Sequence, residues 1–375
     1  MQKSILLATS ALLTAGLVAS NASAADVEVY GQVNKGVVYF DDGTNEDFVV
    51  VDNDFSSTRF GLRGSKDLGM HGLTASFLIE GELQGDNASN AFDADSVNTD
   101  SDASSYTERH TRVGLAGNWG ALFVGKTSTA TDGVAEIDLT PTADVSGSTA
   151  SRIGGGIEFQ DAGAGNGIEI GDVVDSLDGL AARGTADRFN TVRFDTPIFN
   201  GVQARAAVSQ GGDLDGAVYY NGKVDAFEVA AGIGYVQYNN FDNKYALGTA
   251  EGEIESQYVG SASVKHDNGI SGTVAYGRQE VDGYNGQPSF YYLKAGYEFG
   301  NAGVSAEYGE YNDMYSDSVA GVSETEAEVM GIATQYNLGN GVSVAGYWKN
   351  FDLKDNAGTD YDEVDLLGVN MRVKF

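Results

Sequence analysis

Very few residues in this sequence could carry out covalent chemistry. The chain has no cysteine, which removes thiolate nucleophiles, disulfides and sulfur-ligated zinc together. Its three histidines, His71, His110 and His266, lie far apart, and none has a second histidine at helix spacing. Imidazole-based metal sites need several ligands close together, so the histidines predict no metal site. Catalysis by an activated thiol or by a protein-bound transition metal is therefore not expected.

The motifs of common enzymes are missing as well. No G-x-S-x-G elbow occurs, and the glycine-rich run 163–167 lacks the third glycine of a dinucleotide-binding motif. Segment 98–109 resembles a calcium-binding loop only superficially, because Ala103 replaces the required glycine and Arg109 replaces the bidentate glutamate. A barrel hydrolase would need a serine beside a histidine, and only His110 is expected on a strand. We predict no enzymatic activity and no cofactor, and keep a barrel enzyme as a minor alternative.

The charge of the chain restricts its partners. The 375 residues include 54 acidic and 22 basic side chains, which gives a formal net charge of −32. A chain of this charge repels phosphate backbones, so nucleic acid is excluded as a partner. The 20 Tyr and 17 Phe are too many for a disordered acidic chain. The acids are therefore expected to decorate a folded protein.

The first 24 residues have the pattern of a secretory signal peptide. Lys3 precedes an apolar stretch at 5–18, and Ala22-Ser23-Ala24 forms a small-residue cleavage site. The apolar stretch contains polar residues and is shorter than the roughly 20 residues of a spanning helix. We expect residues 1–24 to be removed and residues 25–375 to form a single exported domain.

Apolar and polar residues alternate through most of the remaining chain, over stretches of the length that a tilted strand needs to cross a bilayer. From Leu73 to Ile79 the odd positions are apolar, and from Leu367 to Phe375 the odd positions are again apolar. Alternation alone fits a soluble sandwich as well as a membrane barrel. Small residues on the polar face favour the curved wall of a barrel; they include Gly61, Gly232, Gly234, Gly277 and Gly296.

The connections between these stretches alternate in length. Seven short turns are predicted at 66–72, 117–120, 197–201, 221–226, 266–269, 300–303 and 338–341, and eight longer polar segments at 41–55, 84–106, 127–184, 210–216, 239–255, 281–288, 312–325 and 352–361. Most short turns carry the Asn/Asp-Gly pairs of tight hairpins. Fifteen connections of this kind predict an all-β fold, a 16-stranded antiparallel transmembrane β-barrel with short periplasmic turns and long extracellular loops.

Several short stretches, taken in order, resemble one family. They are Val29-Tyr30-Gly31, the run 57–64 followed by Asp67-Leu68-Gly69, the run 112–117 followed by Val124-Gly125-Lys126, the run 190–194, and a last strand ending in Phe375. Together they make the chain similar, over essentially its whole length after residue 24, to the Gram-negative general porins. That resemblance implies a trimeric diffusion channel in the bacterial outer membrane, with a third loop, 127–184, that folds into the lumen.

The resemblance also implies which residues narrow the channel. Asp138-Leu139-Thr140-Pro141 is similar to the Asp-x-x-Pro element of the family's third loop, which makes Asp138 the expected constriction acid. Many relatives carry a glutamate after that proline, where this chain has Thr142; Glu136 and Asp144 are the acids that could compensate. Alternation within the strands points Arg59, Arg63 and Arg112 into the lumen, and Arg193 joins them as a further member of a basic wall. Opposed acids and bases would orient polar solutes in a transverse field.

The resemblance implies several partners. The second loop, 84–106, is the segment that contacts a neighbouring copy in relatives, and Phe375 resembles the signal that barrel-assembly machinery reads. Clustered loop acids, such as Asp41, Asp42 and Asp352, are expected to be solvated charges, or else to bind Ca²⁺ or Mg²⁺ that bridges to lipopolysaccharide.

The alternatives concern the solute and the class of protein. The net charge predicts a mild preference for cations. A substrate-specific porin would line the lumen with an aromatic track for sugars or a ladder of basic residues for anions, and the net charge argues against a basic ladder. The candidates for an aromatic track are Tyr219, Tyr220, Tyr291 and Tyr292, although barrel aromatics more often form girdles at the membrane interface. A secreted β adhesin is the remaining alternative.

Overall fold

The computed structural model describes residues 26–84, 105–161, 164–180, 188–239, 244–247, 250–282, 286–315, 322 and 324–375. The predicted signal peptide, residues 1–24, and most of the predicted second loop, 84–106, lie outside the described residues. Among the described residues, none of the helices combines the length and the apolar composition that crossing a membrane requires.

Sixteen antiparallel strands form the closed wall of the barrel, as the alternation predicts, and two shorter strands, Glu46–Asp52 and Lys244–Leu247, belong to the same sheet; the second lies within the predicted loop 239–255. The sixteen strands of the wall are β1 (Asp26–Asp41), β2 (Arg59–Asp67), β3 (Thr74–Gln84), β4 (Ser105–Gly117), β5 (Gly120–Ser128), β6 (Arg188–Asp195), β7 (Val202–Ser209), β8 (Leu214–Val224), β9 (Phe227–Gln237), β10 (Ala250–His266), β11 (Ile270–Asp282), β12 (Ser289–Phe299), β13 (Ala302–Asn312), β14 (Thr325–Gly339), β15 (Val342–Asp355) and β16 (Val364–Lys374). Each pairs with its neighbours in sequence, and β1 pairs with β16 from Gln32 opposite Lys374 to Asp41 opposite Asp365. The fold prediction is confirmed.

The two faces of the wall differ as period-two patterning requires. In β16, Leu367 and Val369 are 58% and 57% exposed on the outer face, whereas Leu366 and Asn370 are buried on the inner face. An outer face of apolar side chains is stable when it contacts lipid. The inner face is polar or charged over most strands. This division explains how a chain of mean hydropathy −0.22 presents an apolar outer surface.

The seven predicted short turns all connect consecutive strands at one end of the barrel. They occupy residues 68–73, 118–119, 196–201, 225–226, 267–269, 300–301 and 340–341. The last of them has Asn340 and Gly341 at φ angles of 51° and 80°. Two successive positive φ angles define the type I′ turn, whose twist matches that of the flanking strands.

The predicted first long loop, 41–55, is wrong. Strand β1 continues to Asp41, a four-residue turn follows, and Glu46–Asp52 is a strand that pairs back along β1. Residues 53–58 then interrupt the chain before β2, with a single 3-10 turn at Asp54–Ser56. The strand has its own alternation, because Phe48 and Val50 point outward while Val49 and Val51 are buried. The acidic residues around this segment obscure its alternation in the sequence.

The connection between β5 and β6 is the longest in the barrel, and it lies against the inner wall. We call residues 129–149 the arm and residues 150–180 the cap. The cap contains a hairpin, Glu158–Asp161 with Ala164–Glu169, and one helical turn at Ile170–Val173. Its apolar side chains form a buried core with side chains on the inner wall; the fully buried members include Ile153, Phe159 and Ile170 from the cap, and Phe290, Tyr311 and Leu366 from the wall.

Candidate functional site: the charged walls of the lumen

The arm is held to the inner wall by hydrogen bonds from its own backbone. The amide of Thr131 donates to Asp215 Oδ2 on β8 at 2.7 Å. The amides of Ile137 and Leu139 donate to Ser261 Oγ and Ser263 Oγ on β10 at 3.1 and 2.8 Å. Buried amides need such acceptors, because no water replaces them there. Small hydroxyl side chains on the inner face therefore position the arm.

Asp138 lies between the arm and the wall. Its Oδ2 is 2.8 Å from Lys294 Nζ on β12, and its Oδ1 accepts a hydrogen bond of 2.7 Å from Thr273 Oγ1 on β11. The Asp138 side chain is 7% exposed and that of Lys294 is fully buried. The carboxylate predicted to face the solute is thus neutralised by a lysine, and its role in selecting solutes stays a prediction.

Pro141, which follows Asp138 in the arm, packs against two glycines of the inner wall. A Cβ on Gly296 of β12 would lie 2.9 Å from Pro141 Cδ, and one on Gly303 of β13 would lie 2.2 Å from Pro141 Cβ. Real Cβ atoms do not approach that closely, so any side chain on Gly303 would displace the arm. The small residues on the inner face therefore accommodate the arm.

A second buried group of charged side chains, Glu307 and Lys349, also contacts the arm. Glu307 Oε1 on β13 is 2.7 Å from Lys349 Nζ on β15, and neither side chain is exposed by more than 2%. Tyr292 OH and Ser146 Oγ both donate to Glu307 Oε2, at 2.6 and 2.7 Å. Ser146 belongs to the arm, so this group ties the arm to β12, β13 and β15. Because every charge has a partner of opposite sign, the burial is tolerated.

The other two predicted acids of the third loop also have cationic partners. Glu136 Oε1 is 2.5 Å from Arg152 Nη2 in the cap. Both carboxylate oxygens of Asp144 accept hydrogen bonds from Arg372 of β16. Glu136 and Asp144 keep 28% and 26% of their side chains exposed, so they are the predicted acids that solutes could reach.

Asp178 is a buried acid that the sequence does not single out. It accepts hydrogen bonds from the amides of Gly133 and Ala135, at 2.5 and 2.7 Å. Burial is the main cause that raises the pKa of Asp178 well above its usual value, with Glu136 and Asp132 adding repulsion. This carboxyl joins the cap to the start of the arm.

The described contacts of the arm and cap reach the inner wall from β8 to β16 and leave the stretch from β2 to β7 largely uncovered. Three of the predicted arginines, Arg59, Arg112 and Arg193, lie on this uncovered wall, on β2, β4 and β6. The fourth, Arg63, lies nearer the turn end of β2 and pairs with Glu28 at 2.8 Å. Arg63 is thus separated from the other three along the barrel axis.

One part of the uncovered wall is electrically balanced. Arg109 Nε is 2.8 Å from Glu80 Oε1, and Arg109 also pairs with Glu82. Arg59 Nε is 4.0 Å from Glu80 Oε2, which accepts a hydrogen bond of 2.6 Å from Tyr30 OH. Two arginines and two glutamates form this group, so it contributes little net charge to the lumen.

The neighbouring part of the wall is positive. Arg193 and Arg205 share Asp195, with Nε to carboxylate distances of 2.9 and 3.8 Å. Arg112 lies with its guanidinium carbon 4.2 Å from the centre of the Phe123 ring, and Arg193 lies 5.1 Å from the same ring. We call Arg112, Arg193, Arg205, Asp195 and Phe123 the positive patch.

The four tyrosines proposed as a sugar track do not form one. In each pair one residue faces inward and the other outward, as strand alternation requires. Tyr219 OH donates to Ala130 O at 2.8 Å and Tyr292 OH donates to Glu307, so both inward hydroxyls bind groups of the protein itself. Tyr220 and Tyr291 lie on the outer face. Among the described residues, no group of three or more His, Asp or Glu side chains could hold a metal ion.

Sequence reasoning missed Lys294, Glu307 and Lys349, which hold the arm. A signal was present for Lys294, because it occupies the polar face of a strand whose other face is Tyr291, Leu293 and Ala295. No local sequence pattern predicts that Lys294 pairs with Asp138, which lies 156 residues earlier. Arg109 was missed for another reason: the register of β3 and β4 shifts between Glu80 and Gly81, so Arg109 is left out of the regular pairing.

A closed barrel of sixteen strands, with an apolar outer wall and a charged, partly filled lumen, defines an outer-membrane channel protein. The family model of the Gram-negative porins matches residues 8–356. The chain therefore belongs to the Gram-negative porin family, and its location is the outer membrane. The predicted resemblance is confirmed.

Solved porins share this fold at low sequence identity. The anion-selective porin from Comamonas acidovorans is 19% identical, with a TM-score of 0.63, and the match covers 94% of this chain and all of that one. The trimer form of OmpT from Vibrio cholerae is 13% identical with a TM-score of 0.57, covering 94% and 100% of the two chains. OmpF from Salmonella typhi, in a complex with daunomycin, is 14% identical with a TM-score of 0.56, covering 92% and 97%. No curated protein sequence matches the chain.

Proposed function

We propose that this protein is a diffusion channel that passes ions and small hydrophilic solutes across the outer membrane, without catalysis and without a cofactor. The observation that carries the proposal is the uneven covering of the inner wall. The arm and cap pack on β8 to β16, while the charged side chains of β2 to β7 remain along the other side. A passage between a fixed loop and a charged wall filters solutes by size and charge.

The ion preference follows from charges in two places. The net charge of −32 places the whole chain at a negative potential, which supports the mild cation preference predicted from the sequence. The positive patch supports a second candidate, a preference for anions where the arm narrows the lumen. The predicted acids of the arm do not offset the patch, because each of them is paired with a cation of its own. The anion-selective relative from Comamonas acidovorans agrees with this second candidate.

Reversal potentials at two ionic strengths separate the two candidates. Purified protein in a planar bilayer under a KCl gradient is measured at about 10 mM and at about 1 M mean salt, where screening lengths are about 30 and 3 Å. Cation preference at both strengths supports the first candidate, and a change to anion preference at high salt supports the second. Folded protein that never conducts would overturn the channel itself.

The charge variants Glu136→Gln and Asp144→Asn test the acids of the arm in the same recordings, with Asp138→Asn as the third member. Each is expected to move the reversal potential toward anions, and the exposed Glu136 and Asp144 should have larger effects than the buried Asp138. Equal effects of all three would contradict the assignment of Glu136 and Asp144 as the acids that solutes reach.

Assembly forms part of the proposal. We propose a homotrimer, for which the trimer form of OmpT from Vibrio cholerae gives support, and export through a signal peptide at residues 1–24 ahead of the barrel domain 25–375. Conductance steps in groups of three and a trimer mass in detergent test the first point. N-terminal sequencing of protein from outer membranes tests the second, and the expected first residue is Ala25.

A further inference from the structure

We infer that residues 53–58, which we call the inward turn, are a second element of the constriction and determine where Asp144 lies. The inward turn connects the strand Glu46–Asp52 to β2. Its positioning residues are Asn53 and Phe55, which act through the arm. The inference rests on the proposed channel function and names residues that tune charge selectivity in the same passage.

The first observation is that the inward turn is built on the inner face of β1. Gln32 Nε2 donates hydrogen bonds to Ser56 O and Ser57 O, at 2.6 and 2.8 Å. Asn34 Nδ2 also donates to Ser56 O, at 2.9 Å. Gln32 and Asn34 are both buried. Carbonyl groups that have left the strand ladder need such donors, so these two amides hold the turn inside the barrel.

The second observation is that Asn53 both caps the turn and contacts the arm. Its Oδ1 accepts a hydrogen bond of 2.9 Å from the amide of Phe55, the usual bond of a capping asparagine. Its Nδ2 donates to Asp144 O at 3.2 Å. Because Asn53 is 2% exposed, water does not compete for either bond. One buried side chain thus fixes the turn and the backbone of Asp144 together.

The turn makes a further contact with the arm at Gly147. A Cβ on Gly147 would lie 3.1 Å from Phe55 Cε1, so the ring of Phe55 packs directly on this glycine. Between the two contacts, Ser146 O accepts a hydrogen bond of 2.8 Å from Lys294 Nζ on the inner wall. The inner wall and the inward turn therefore hold residues 144–147 jointly.

The third observation is that the turn lies between the charged groups of the passage. Arg372, which pairs with both carboxylate oxygens of Asp144, also donates to Ser56 Oγ at 3.5 Å. Arg109, in the electrically balanced group of the uncovered wall, donates to Ser57 Oγ at 3.4 Å. Both distances are long for hydrogen bonds, so they indicate proximity more than strength. The inward turn is therefore adjacent to the Asp144 ion pair and to the charged wall.

This placement gives the turn a role in selectivity, because the effect of a carboxylate depends on its distance from a passing ion. Coulomb energy falls as the inverse of distance, so a carboxylate displaced from about 4 to about 8 Å loses half of its effect. Without the contacts of Asn53 and Phe55, the backbone of Asp144 would occupy a wider range of positions. We expect the cation-to-anion permeability ratio to fall by about twofold.

The experiment is a double-mutant cycle on selectivity. Reversal potentials of Asn53→Ser, Asp144→Asn and the combined variant are measured in planar bilayers under a KCl gradient at about 0.1 M mean salt, where the screening length is about 10 Å. Serine still caps the turn but is too short to reach Asp144 O. We expect Asn53→Ser to move the reversal potential toward anions when introduced alone, and to cause no further change when combined with Asp144→Asn.

Asn268→Ser is the matched control. Asn268 Oδ1 accepts a hydrogen bond of 3.1 Å from the amide of Ile270, the same kind of bond, in the short turn 267–269. This variant should leave the reversal potential unchanged. Phe55→Ala should act in the same direction as Asn53→Ser. Phe55→Leu, which keeps an apolar side chain against Gly147, should have a smaller effect than Phe55→Ala.

The inference is overturned if Asn53→Ser leaves the reversal potential at its wild-type value, or if it causes the same shift with and without Asp144→Asn. A wild-type potential in Asp144→Asn also overturns it, because the turn acts through that acid. Conduction by each variant demonstrates folding, and Phe55→Leu takes the place of Asn53→Ser in the cycle if the latter does not fold. These outcomes leave the channel function intact, whereas folded wild-type protein that never conducts refutes the channel function.

Discussion

The ion pair between Asp138 and Lys294 connects the arm to the inner wall, although the two residues lie 156 positions apart in the sequence. Both side chains are withdrawn from water, and the lysine also donates to Ser146 O at 2.8 Å. A buried pair of this kind contributes little by comparison with two apolar residues of the same size, but removing one partner leaves a charge uncompensated. The pair therefore specifies where the arm lies more than how stable the barrel is.

We predict that Lys294→Met releases the arm from the wall. An unpaired Asp138 carboxylate would be destabilised by about 3–5 kcal/mol in the packed position. Larger single-channel conductance and faster proteolysis of the arm are the expected results. The double variant with Asp138→Leu should restore the wild-type values, and an unchanged conductance in the single variant would contradict the anchoring role.

The buried Asp178 makes the packing of the cap depend on pH. Because the folded protein raises the pKa of this carboxyl, the folded state holds its proton more tightly than the unfolded chain. Stability of the packed loop is then greatest at pH values below the ordinary Asp pKa, and decreases as the pH rises through the interval up to the raised value. We expect amide hydrogen exchange at Gly133 and Ala135 to accelerate over that interval, after correction for intrinsic exchange.

Asp178→Asn is the control for this pH effect. The amide oxygen still accepts a hydrogen bond but cannot ionise, so the pH dependence should decrease while the exchange rate at low pH changes little. The same pH dependence in Asp178→Asn would assign the effect to Glu136 or Asp132 instead.

The charged residues differ in how far sequence predicts their surroundings. Strand alternation is a local property, and it predicts that Arg59, Arg112 and Arg193 point into the lumen. Whether each is paired depends on neighbours across strands, such as Glu80 for Arg59, and these follow from register. The contacts of Asp138 depend on the path of a long loop through the lumen, for which the sequence has no periodic signal.

At the level of elements, the cap hairpin contacts both the first and the last of the long connections. Asp161 forms an isolated antiparallel bridge with Tyr361, flanked by a hydrogen bond of 2.9 Å from the amide of Asp362 to Gln160 O. Gln160 Nε2 also donates to Asp42 at 3.3 Å. The cap is thereby joined to the ends of β1 and β16, where the barrel closes.

An engineered disulfide tests this contact cleanly, because the chain has no other cysteine. Asp161→Cys with Tyr361→Cys places the pair in a non-hydrogen-bonded bridge, where Cα atoms are about 4.5 Å apart and a disulfide fits. We expect oxidation to proceed in the folded protein and to stabilise the cap by about 2–4 kcal/mol. The measurement is the temperature at which a protease begins to cleave the cap, with and without reductant.

The two single-cysteine variants control for the lost side chains, including the hydrogen bond from Tyr361 OH to Asp355 Oδ2 at 2.7 Å. The contact would be refuted if the two thiols stay reduced in the folded channel under an oxidant that does oxidise them in the unfolded protein. The cap would then not touch the last connection.

The elements themselves were predictable to different degrees. The seven short turns have local signals, such as Asn340-Gly341, and all were predicted. Residues 46–52 were predicted as loop because acids surround Phe48 and Val50, which face outward. Glycines such as Gly296 were noticed as small residues on the inner face, but the contact of Gly296 with Pro141 could not be derived, since it depends on how the arm crosses the wall.

For the whole molecule, closure of the barrel brings the two ends of the described chain together. The amide of Phe375 donates a hydrogen bond to Gly31 O, and Phe375 O accepts one from the amide of Gly31, both at 3.0 Å. The Phe375 ring lies where a Cβ on Gly31 would be, at 2.6 Å. The last side chain therefore packs over the first strand, besides its predicted role as a signal for assembly machinery.

We predict that Gly31→Ala and Phe375→Ala separate these two roles. Both should slow folding into lipid vesicles, because both disturb the closing contact. Only Phe375→Ala should reduce the additional acceleration that purified assembly machinery provides. Equal acceleration of the two variants would mean that Phe375 acts through closure alone. Gel mobility of folded and heated protein measures both rates.

The size and class of the fold could be predicted because a barrel repeats two local rules, alternation within strands and tight turns between them. Fifteen connections and a signal peptide pattern were enough to predict sixteen strands. The occupancy of the lumen is a different matter, because the contacts of the arm and cap are spread over many strands of the inner wall. Those contacts are determined collectively, and no single residue indicates them.

We expect the apolar core between the cap and the wall to add its own heat capacity change to the unfolding of this barrel. Side chains on the outer face stay in lipid or detergent, so their surface adds little to the heat capacity change of unfolding. The core of Ile153, Phe159 and Ile170 is different, because it becomes hydrated when the cap detaches. Calorimetric scans should therefore show an early transition with a positive heat capacity increment, before the sheet itself separates. Cooling should weaken the cap in the same manner as the core of a water-soluble domain.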